Sequence, residues 1–247
     1  MREETITAGG VRLRVQHRRV PQPSGPPVLL IHGMAADHRT WRRTVRALAA
    51  AGRDTVTYDQ RGHGRSDHSP EYLLDELAED AEQVARHAGL DRFDVVGHSL
   101  GGQAALRLAW RLPDGVRRLV LEEMPPVAQD SAQVEETMDL PLTPRRVWLG
   151  IKQLVQTPGA LSRFDGTMMD SVSPQFQPDP AWWERLASTP QETLVISGGP
   201  RDFLRPEYLR LVADALPHGE YAELRGGHTV HREASAEFAR AVLGFLR

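Results

Sequence analysis

Ser99 lies in a sequence pattern that is typical of a nucleophile held on a tight turn. The segment VVGHSLGG at 95–102 runs from an apolar strand into a helix and contains the pattern G-x-S-x-G. Glycines two positions before and after the serine let the strand and the helix approach closely, because larger side chains there would collide with their neighbours. The N–H group of Leu100, at the start of the helix, could stabilise a negatively charged oxygen. The pattern predicts that Ser99 is a nucleophile in acyl transfer.

A second oxyanion donor must come from another loop, and the segment LLIHGM at 29–34 provides a candidate. It reads as a central strand that ends in the turn His32-Gly33, so the N–H group of Met34 is predicted to be the second donor. His32 could act as a base, but a histidine at a strand end more often hydrogen-bonds its own loop. We therefore interpret His32 as structural.

A serine hydroxyl needs a base to remove its proton, and the base needs a carboxylate to fix its tautomer. His228 follows the predicted strand that ends at Leu224, and Asp202 follows the predicted strand before it. Adjacent parallel strands end at the same edge of a sheet, so both side chains could reach Ser99. The sequence therefore predicts a triad of Ser99, Asp202 and His228.

The identity of the acid has two rivals, Glu122 and Glu123, which end an earlier predicted strand after the nucleophile. We favour Asp202 because the Gly-Gly-Pro turn before it can place a short carboxylate at the edge of the sheet where the strands end. The next strand then places His228 beside it. The alternative reading of Glu123 is a hinge residue or a residue that faces the substrate.

Short apolar runs separated by helical periodicity position these groups. The pattern predicts an α/β fold with a mostly parallel sheet flanked by helices, preceded by an N-terminal hairpin. In the helix before the elbow, Leu73, Leu77, Ala81, Val84 and Ala88 are predicted to face the core. The predicted strands are 5–8, 11–17, 28–31, 55–58, 93–96, 116–121, 193–197 and 221–224.

Frequent prolines between 123 and 191 break this rhythm into short amphipathic pieces, such as 145–156 and 180–187. We interpret 123–191 as a small helical cap inserted late in the sheet, with 1–122 and 192–247 as the core domain. Apolar side chains of the cap could line a cleft for an apolar part of a substrate, although some of them must dock the cap on the core. The candidate substrate-binding residues are Trp148, Phe164, Met168 and Trp182.

Composition narrows the possible partners of this 247-residue chain. The absence of cysteine excludes a thiol nucleophile and cysteine-ligated metal sites. A formal charge of −3 argues against nucleic-acid and anionic-membrane partners, and no apolar run is long enough for a membrane span. His228 and His231 have H-x-x-H spacing without a third ligand nearby, so we expect no metal and no cofactor. The expected setting is cytoplasmic, with a small-molecule substrate and an oligomeric state left open.

These motifs together resemble the α/β-hydrolase fold family, specifically its cap-bearing, esterase-like branch. The resemblance covers nearly the whole chain. It depends on His32-Gly33 with Trp41 downstream, the 59–66 segment DQRGHGRS, the elbow around Ser99, and Asp202 with His228. One departure is Ala36, where relatives often have glycine.

The resemblance implies that Ser99 is the nucleophile, His228 the base, Asp202 its orienting acid, and Met34 and Leu100 the oxyanion donors. The expected reaction is hydrolysis of a carboxylic ester, lactone or related acyl substrate through an acyl-enzyme. Two alternatives remain: a carbon–carbon bond hydrolase that uses the same triad, and a ligand-binding protein of this fold that does not turn over. An aspartate at the elbow would have indicated an epoxide or haloalkane hydrolase, and Ser99 argues against both.

Overall fold

The computed structural model describes residues 2–130, 159–200 and 204–247. This described part forms one eight-stranded sheet in the order β1-β2-β4-β3-β5-β6-β7-β8. The first two strands form an antiparallel hairpin, β2 pairs antiparallel with β4, and all remaining neighbours are parallel. The strands are β1 (Arg2–Ala8), β2 (Val11–Arg18), β3 (Val28–Ile31), β4 (Thr55–Tyr58), β5 (Phe93–His98), β6 (Val116–Glu122), β7 (Glu192–Ser197) and β8 (Gly219–Glu223).

Helices cover both faces of the sheet. Helices α2 and α3 pack against each other on one face, and α1 and α8 pack on the other. Within the described residues, no helix has the length and hydropathy that are needed to cross a membrane. The helices are α1 (Arg42–Ala50), α2 (Leu74–His87), α3 (Leu100–Arg111), α4 (Met168–Val172), α5 (Pro180–Ala187), α6 (Pro206–Ala215), α7 (Val230–Glu233) and α8 (Ser235–Phe245).

Strand β3 shows why the sheet holds two separate cores. Its side chains alternate between the faces, so Leu29 and Ile31 join the core under α2 and α3, while Val28 and Leu30 join the core under α1 and α8. All four side chains are fully buried. Each contributes about 1.5–3 kcal/mol of hydrophobic stabilisation. Because this central strand is buried on both faces, its sequence is a continuous apolar run.

The predicted fold class is confirmed, and seven of the eight predicted strands begin and end within two residues of the observed bounds, while β1 begins three residues earlier than predicted. One predicted core position is wrong. Leu73 is 38% exposed, because α2 begins at Leu74 and Leu73 has extended backbone before the first helical turn. The predicted core positions Leu77, Ala81 and Val84 are fully buried.

The segment between β6 and β7 holds the predicted cap. Its described part contains α4, α5 and two short 3-10 helices, Leu161–Arg163 and Ser173–Phe176. Helix α5 spans the predicted 180–187 piece, whereas the 145–156 piece and Trp148 lie outside the described residues. The division of the chain into core and cap stays a prediction.

Candidate active site

Ser99 lies on a strained turn between β5 and α3. Its backbone has φ +52° and ψ −119°, a conformation that costs a non-glycine residue about 1–3 kcal/mol. The surrounding contacts hold it there, since the Ser99 N–H donates to the Glu122 carbonyl oxygen at 2.8 Å. A Cβ atom on Gly97 would lie 2.4 Å from the Gly101 carbonyl oxygen, and one on Gly101 would lie 2.3 Å from the His32 carbonyl oxygen. The elbow therefore depends on both glycines.

His228 lies beside Ser99, on a short 3-10 helix after β8. Its Nε2 atom is 3.1 Å from Ser99 Oγ, within hydrogen-bond distance, and its side chain is 28% exposed. The end of β7 supports this turn, because the N–H groups of Gly226 and Gly227 both donate to the Gly198 carbonyl oxygen. The geometry lets Nε2 accept the serine proton while one edge of the ring remains open to solvent.

Glu123 faces the other nitrogen of His228. Its Oε2 atom lies 3.3 Å from His228 Nδ1, which is longer than a well-formed charge-assisted hydrogen bond but within reach of one. The side chain is fully buried, and its Oε1 atom accepts the Gly198 N–H at 2.6 Å. The backbone of Glu123 has φ +47°, and its N–H donates to the Ile196 carbonyl oxygen. A left-handed residue immediately after β6 thus places this carboxylate next to the histidine.

Asp202, the favoured acid, lies outside the described residues, so its role stays a prediction. The observed contact belongs to its rival Glu123. The available signal was the position of Glu123 at the end of β6, the strand directly next to β5 and its serine.

The two predicted oxyanion donors flank Ser99. Met34 follows Gly33, where an added Cβ would lie 3.1 Å from Ser99 Cβ and 2.5 Å from His98 Nδ1. Leu100 is the first residue of α3, so its N–H is one of the donors left without a helical acceptor. Neither N–H donates a hydrogen bond within the described part of the chain. Their role as oxyanion donors stays a prediction.

His32 hydrogen-bonds its own loop, as expected. Its Nδ1 atom donates to the Gly33 carbonyl oxygen at 2.8 Å, and its Nε2 atom accepts the Gln60 N–H at 3.0 Å. The Gln60 side chain donates back to the His32 carbonyl oxygen at 2.6 Å. The loop after β3 is thus bound to the 59–66 loop that follows β4.

Asp59, the first residue of the 59–66 loop, also joins this loop to the segment after β3 through His38. Burial alone would raise the pKa of the Asp59 carboxyl, but the hydrogen bond from His38 and the charge of that ring lower the pKa to about 2. His38 Nδ1 lies 2.6 Å from Asp59 Oδ1, and the His38 and Arg65 N–H groups also donate to the carboxylate. Asp59 therefore remains ionised and saturated with donors.

A second carboxylate and histidine pair lies behind the first. Both Glu122 and His231 are completely buried, and Glu122 accepts the N–H of His231 at 2.8 Å and faces its Nδ1 atom at 2.7 Å. The Nε2 atom of His231 lies 2.7 Å from the Thr40 hydroxyl. Burial raises the pKa of Glu122 to about 7 and lowers the pKa of His231 well below its usual range.

His98, the residue before the nucleophile, connects these groups. Its Nε2 atom donates to the His228 carbonyl oxygen at 2.6 Å, and burial lowers its pKa to about 3. His98, Glu122 and His231 present possible metal-ligand atoms within 4.8 Å of one another. Hydrogen bonds already occupy His231 Nδ1 and both Glu122 oxygens. The expected absence of a metal stays a prediction.

The candidate substrate-binding residues that are described lie in different surroundings. Met168 is fully buried against Gly62 of the 59–66 loop. Trp182 is 4% exposed and packs edge-on against Trp110 and Trp183. Phe164 is half-buried and packs against the ring of His63. Substrate contact by these side chains stays a prediction, and the packing of Met168 and Trp182 is typical of residues that dock a cap.

Comparisons with known proteins agree with this architecture. The family model described as alpha/beta hydrolase fold matches residues 26–159. The chain is similar to the sn-1-specific diacylglycerol lipase ABHD11 of Mus musculus, with 26% identity over 253 residues that cover 90% of this chain and 81% of that protein. A putative esterase/lipase of Haemophilus influenzae is 26% identical, covering 95% of this chain and 88% of that protein.

Among solved structures, the chain resembles the enol-lactonase from Burkholderia xenovorans LB400. The two superpose with a TM-score of 0.81 over 98% of this chain and 99% of the lactonase, at 21% sequence identity. At this level of identity the likeness concerns the fold alone.

Proposed function

Because this chain belongs to the α/β-hydrolase fold family, we propose that it is a serine hydrolase that cleaves a carboxylic ester, a lactone or a related acyl substrate. The observation that carries the proposal is the pairing of Ser99 with His228. Ser99 Oγ lies 3.1 Å from His228 Nε2 on an elbow with φ +52°. A strained serine next to a histidine and an oxyanion site is an arrangement suited to acyl transfer.

In the acylation step, Ser99 Oγ attacks the carbonyl carbon of the substrate while His228 Nε2 takes the hydroxyl proton. Negative charge develops on the carbonyl oxygen, and the N–H groups of Met34 and Leu100 stabilise it. The positive end of the α3 dipole adds to this stabilisation. When the tetrahedral intermediate collapses, the imidazolium gives its proton to the leaving alkoxide, and the acyl group stays on Ser99.

Deacylation repeats these steps with water as the nucleophile. His228 removes a proton from the water, the same N–H groups stabilise the second oxyanion, and the acid is released as Ser99 recovers its proton. The partial exposure of His228 suits this step because water must reach Nε2.

Glu123 is the acid that we propose for this site, in place of the favoured Asp202. Its buried carboxylate lies 3.3 Å from His228 Nδ1, where it can hold the ring in the Nδ1–H tautomer and stabilise the imidazolium. The Gly198 N–H fixes the other oxygen of the carboxylate, so the side chain is oriented before the substrate arrives.

The names of two similar proteins support the proposed substrate class. A diacylglycerol lipase and a putative esterase/lipase both suggest a carboxylic ester. The aromatic and methionine content between β6 and β7 supports an apolar portion in the substrate. We propose an ester with a medium acyl chain or an aromatic group.

Labelling with a fluorophosphonate tests the proposal directly. We expect one phosphonyl adduct per chain in the intact mass, located on Ser99 by peptide mapping, and none in the Ser99→Ala variant. Folded protein that gives neither an adduct nor turnover of p-nitrophenyl esters would instead indicate a ligand-binding protein of this fold.

A panel of p-nitrophenyl esters tests the proposed substrate class. We expect kcat/KM to rise from acetate to medium acyl chains, because each methylene that enters an apolar cleft contributes about 0.8 kcal/mol. A steady fall with each added methylene would remove the apolar-substrate proposal and leave the cap residues as packing groups.

A further inference from the structure

The oxyanion loop is a tight turn whose shape depends on Ala35. Here the oxyanion loop means 33–36, in which the Ala36 N–H donates to the Gly33 carbonyl oxygen at 3.3 Å. Met34 and Ala35 are the central residues of the turn, and Ala35 has φ +57°. This left-handed conformation favours glycine, so surrounding contacts must stabilise an alanine there.

His63, in the 59–66 loop, contacts the oxyanion loop at this residue. The Ala35 N–H donates to His63 Nε2 at 3.1 Å. On the other side of the ring, Nδ1 lies 2.9 Å from the Arg61 carbonyl oxygen. A carbonyl oxygen only accepts, so Nδ1 carries the proton and Nε2 has a free lone pair for Ala35. The neighbouring backbone therefore fixes the tautomer of His63.

The surroundings of His63 keep the ring neutral and in place. The side chain is fully buried, and burial lowers its pKa to about 3. The ring of His32 packs edge-on against the His63 ring, and the ring of Phe164 packs against it at a tilt. Both centroid distances are 4.9 Å. A protonated ring would point a second N–H at the Ala35 N–H, so the contact exists only with neutral imidazole.

We propose that His63 is a positioning residue for the oxyanion hole, which holds the Met34 N–H toward the reacting carbonyl by accepting the Ala35 N–H. The hydrogen bond restrains the peptide that links Met34 to Ala35, and this peptide follows directly on the one that carries the Met34 donor. Gly33, at the start of the turn, lies so close to His98 and Ser99 that there is no room for a Cβ atom. With both ends of the turn held, the Met34 N–H keeps one direction before and during the reaction.

This inference rests on the proposed hydrolase function, because it concerns a donor that acts only when an oxyanion forms. Fluorophosphonate labelling of the wild-type protein therefore comes first. Failure of Ser99 to react would reject the proposed function, whereas the role of His63 is judged by the three measurements below.

Nuclear magnetic resonance can detect the contact in the unmodified protein. We expect a scalar coupling across the hydrogen bond between the Ala35 amide nitrogen and His63 Nε2, with Nε2 at the chemical shift of an unprotonated nitrogen. Absence of the coupling in protein that shows both resonances would overturn the proposal without any substitution.

Three variants separate the acceptor from the ring. His63→Phe keeps an aromatic ring without the acceptor, His63→Asn keeps a donor near the Nδ1 position without the acceptor, and His63→Gln supplies an acceptor near the Nε2 position. We expect Phe and Asn to lower kcat by about 10- to 100-fold with little change in KM, since a misdirected oxyanion donor weakens only the transition state. We expect Gln to recover a large part of the loss.

Affinity for a trifluoromethyl ketone provides a measurement that a merely structural role would not change. This inhibitor forms a tetrahedral adduct with the serine and places an oxyanion in the same site. We expect its affinity to fall across the three variants by the same factor as kcat/KM. His38→Asn is the matched control, because His38 lies between the same two loops but hydrogen-bonds Asp59 instead of the oxyanion loop.

The proposal is wrong if His63→Asn and His63→Phe keep wild-type kcat and inhibitor affinity. It is also wrong if Gln and Asn are equally impaired, since the acceptor would then be irrelevant, or if His38→Asn lowers inhibitor affinity as much as His63→Asn. Should the variants fail to fold, the coupling between Ala35 and His63 decides.

Discussion

Two networks with the same order of residue types lie side by side at the end of β6. Glu123, His228 and Ser99 form one, and Glu122, His231 and Thr40 form the other. Each has a carboxylate at Nδ1 of a histidine and a hydroxyl at Nε2. The catalytic candidate has the longer contacts, 3.3 and 3.1 Å, whereas both contacts of the second network are 2.7 Å.

Burial explains why only the first network is suited to chemistry. His231 is completely buried and Thr40 is 7% exposed, so no substrate carbonyl can approach that hydroxyl. His228 is partly exposed, and its serine lies on a strained elbow beside the proposed oxyanion donors. The tight network fixes the helix that follows His228, and the looser one is the proposed route of the serine proton. The order carboxylate, histidine, hydroxyl therefore does not by itself define a catalytic triad.

Removing each hydroxyl in turn should give the largest difference in activity between the two networks. We expect Ser99→Ala to lose about 10⁶-fold in kcat with little change in stability, because the nucleophile is gone while the fold is intact. We expect Thr40→Val to keep most of the activity but to lose about 1–3 kcal/mol of stability, because His231 Nε2 is left buried without its partner. Ester hydrolysis and urea unfolding of both variants measure the two effects. Comparable activity losses would make the second network part of the catalytic machinery.

The acids come next in expected effect. We expect Glu123→Gln to lower kcat by about 10⁴-fold, because the amide no longer fixes the Nδ1–H tautomer or stabilises the imidazolium. Asp202→Asn is the matched comparison, with an expected loss of under about tenfold if Glu123 is the acid. The opposite ranking at neutral pH, in variants shown to be folded, would return the role to Asp202.

The pH dependence of stability should identify the buried carboxyl group of the second network. The pKa of Glu122 is about 7 in the folded protein and close to 4.5 when unfolded, so the folded state binds more protons between these values. The free energy of unfolding contributed by Glu122 is therefore full below about pH 4.5 and falls as the pH rises toward 7. We expect Glu122→Gln to remove this decline, so that the variant gains stability relative to wild type across the window.

Glu220→Gln provides the control for that titration, because Glu220 is an exposed glutamate of β8. We expect its unfolding curve to follow wild type at every pH. A Glu122→Gln variant with an unchanged pH profile would mean that the carboxyl group is already ionised throughout this range.

The sequence predicts most of the fold and, of the two networks, the one that contains Ser99 and His228. Ser99, Met34 and Leu100 follow from local patterns, since an elbow and a strand end fix backbone geometry within a few residues. His228 follows from strand order, because its strand ends at the same edge as β5. The structure contains the predicted elbow and brings His228 next to Ser99, whereas the catalytic and oxyanion roles of these residues stay predictions.

The remaining contacts depend on distances that no local pattern encodes. Glu122 ends β6 and Glu123 follows it directly, yet the φ of +47° at Glu123 turns its side chain toward His228 while Glu122 pairs with His231. His231 and Thr40 are separated by 191 positions, and no sequence pattern links the two. Leu73 fits the helical periodicity but precedes the helix, because the period does not specify where the first turn begins.

The separation of Thr40 from His231 has a consequence for biosynthesis. Trp41, next to Thr40, is fully buried against His231 and Phe238, so this segment is synthesised long before its partners. A ribosome adding about 5–20 residues per second needs on the order of 10–40 seconds to cover 191 positions. During that time the nascent sheet carries an open apolar face. Chaperones that bind such faces are therefore expected to recognise the growing chain until α8 emerges.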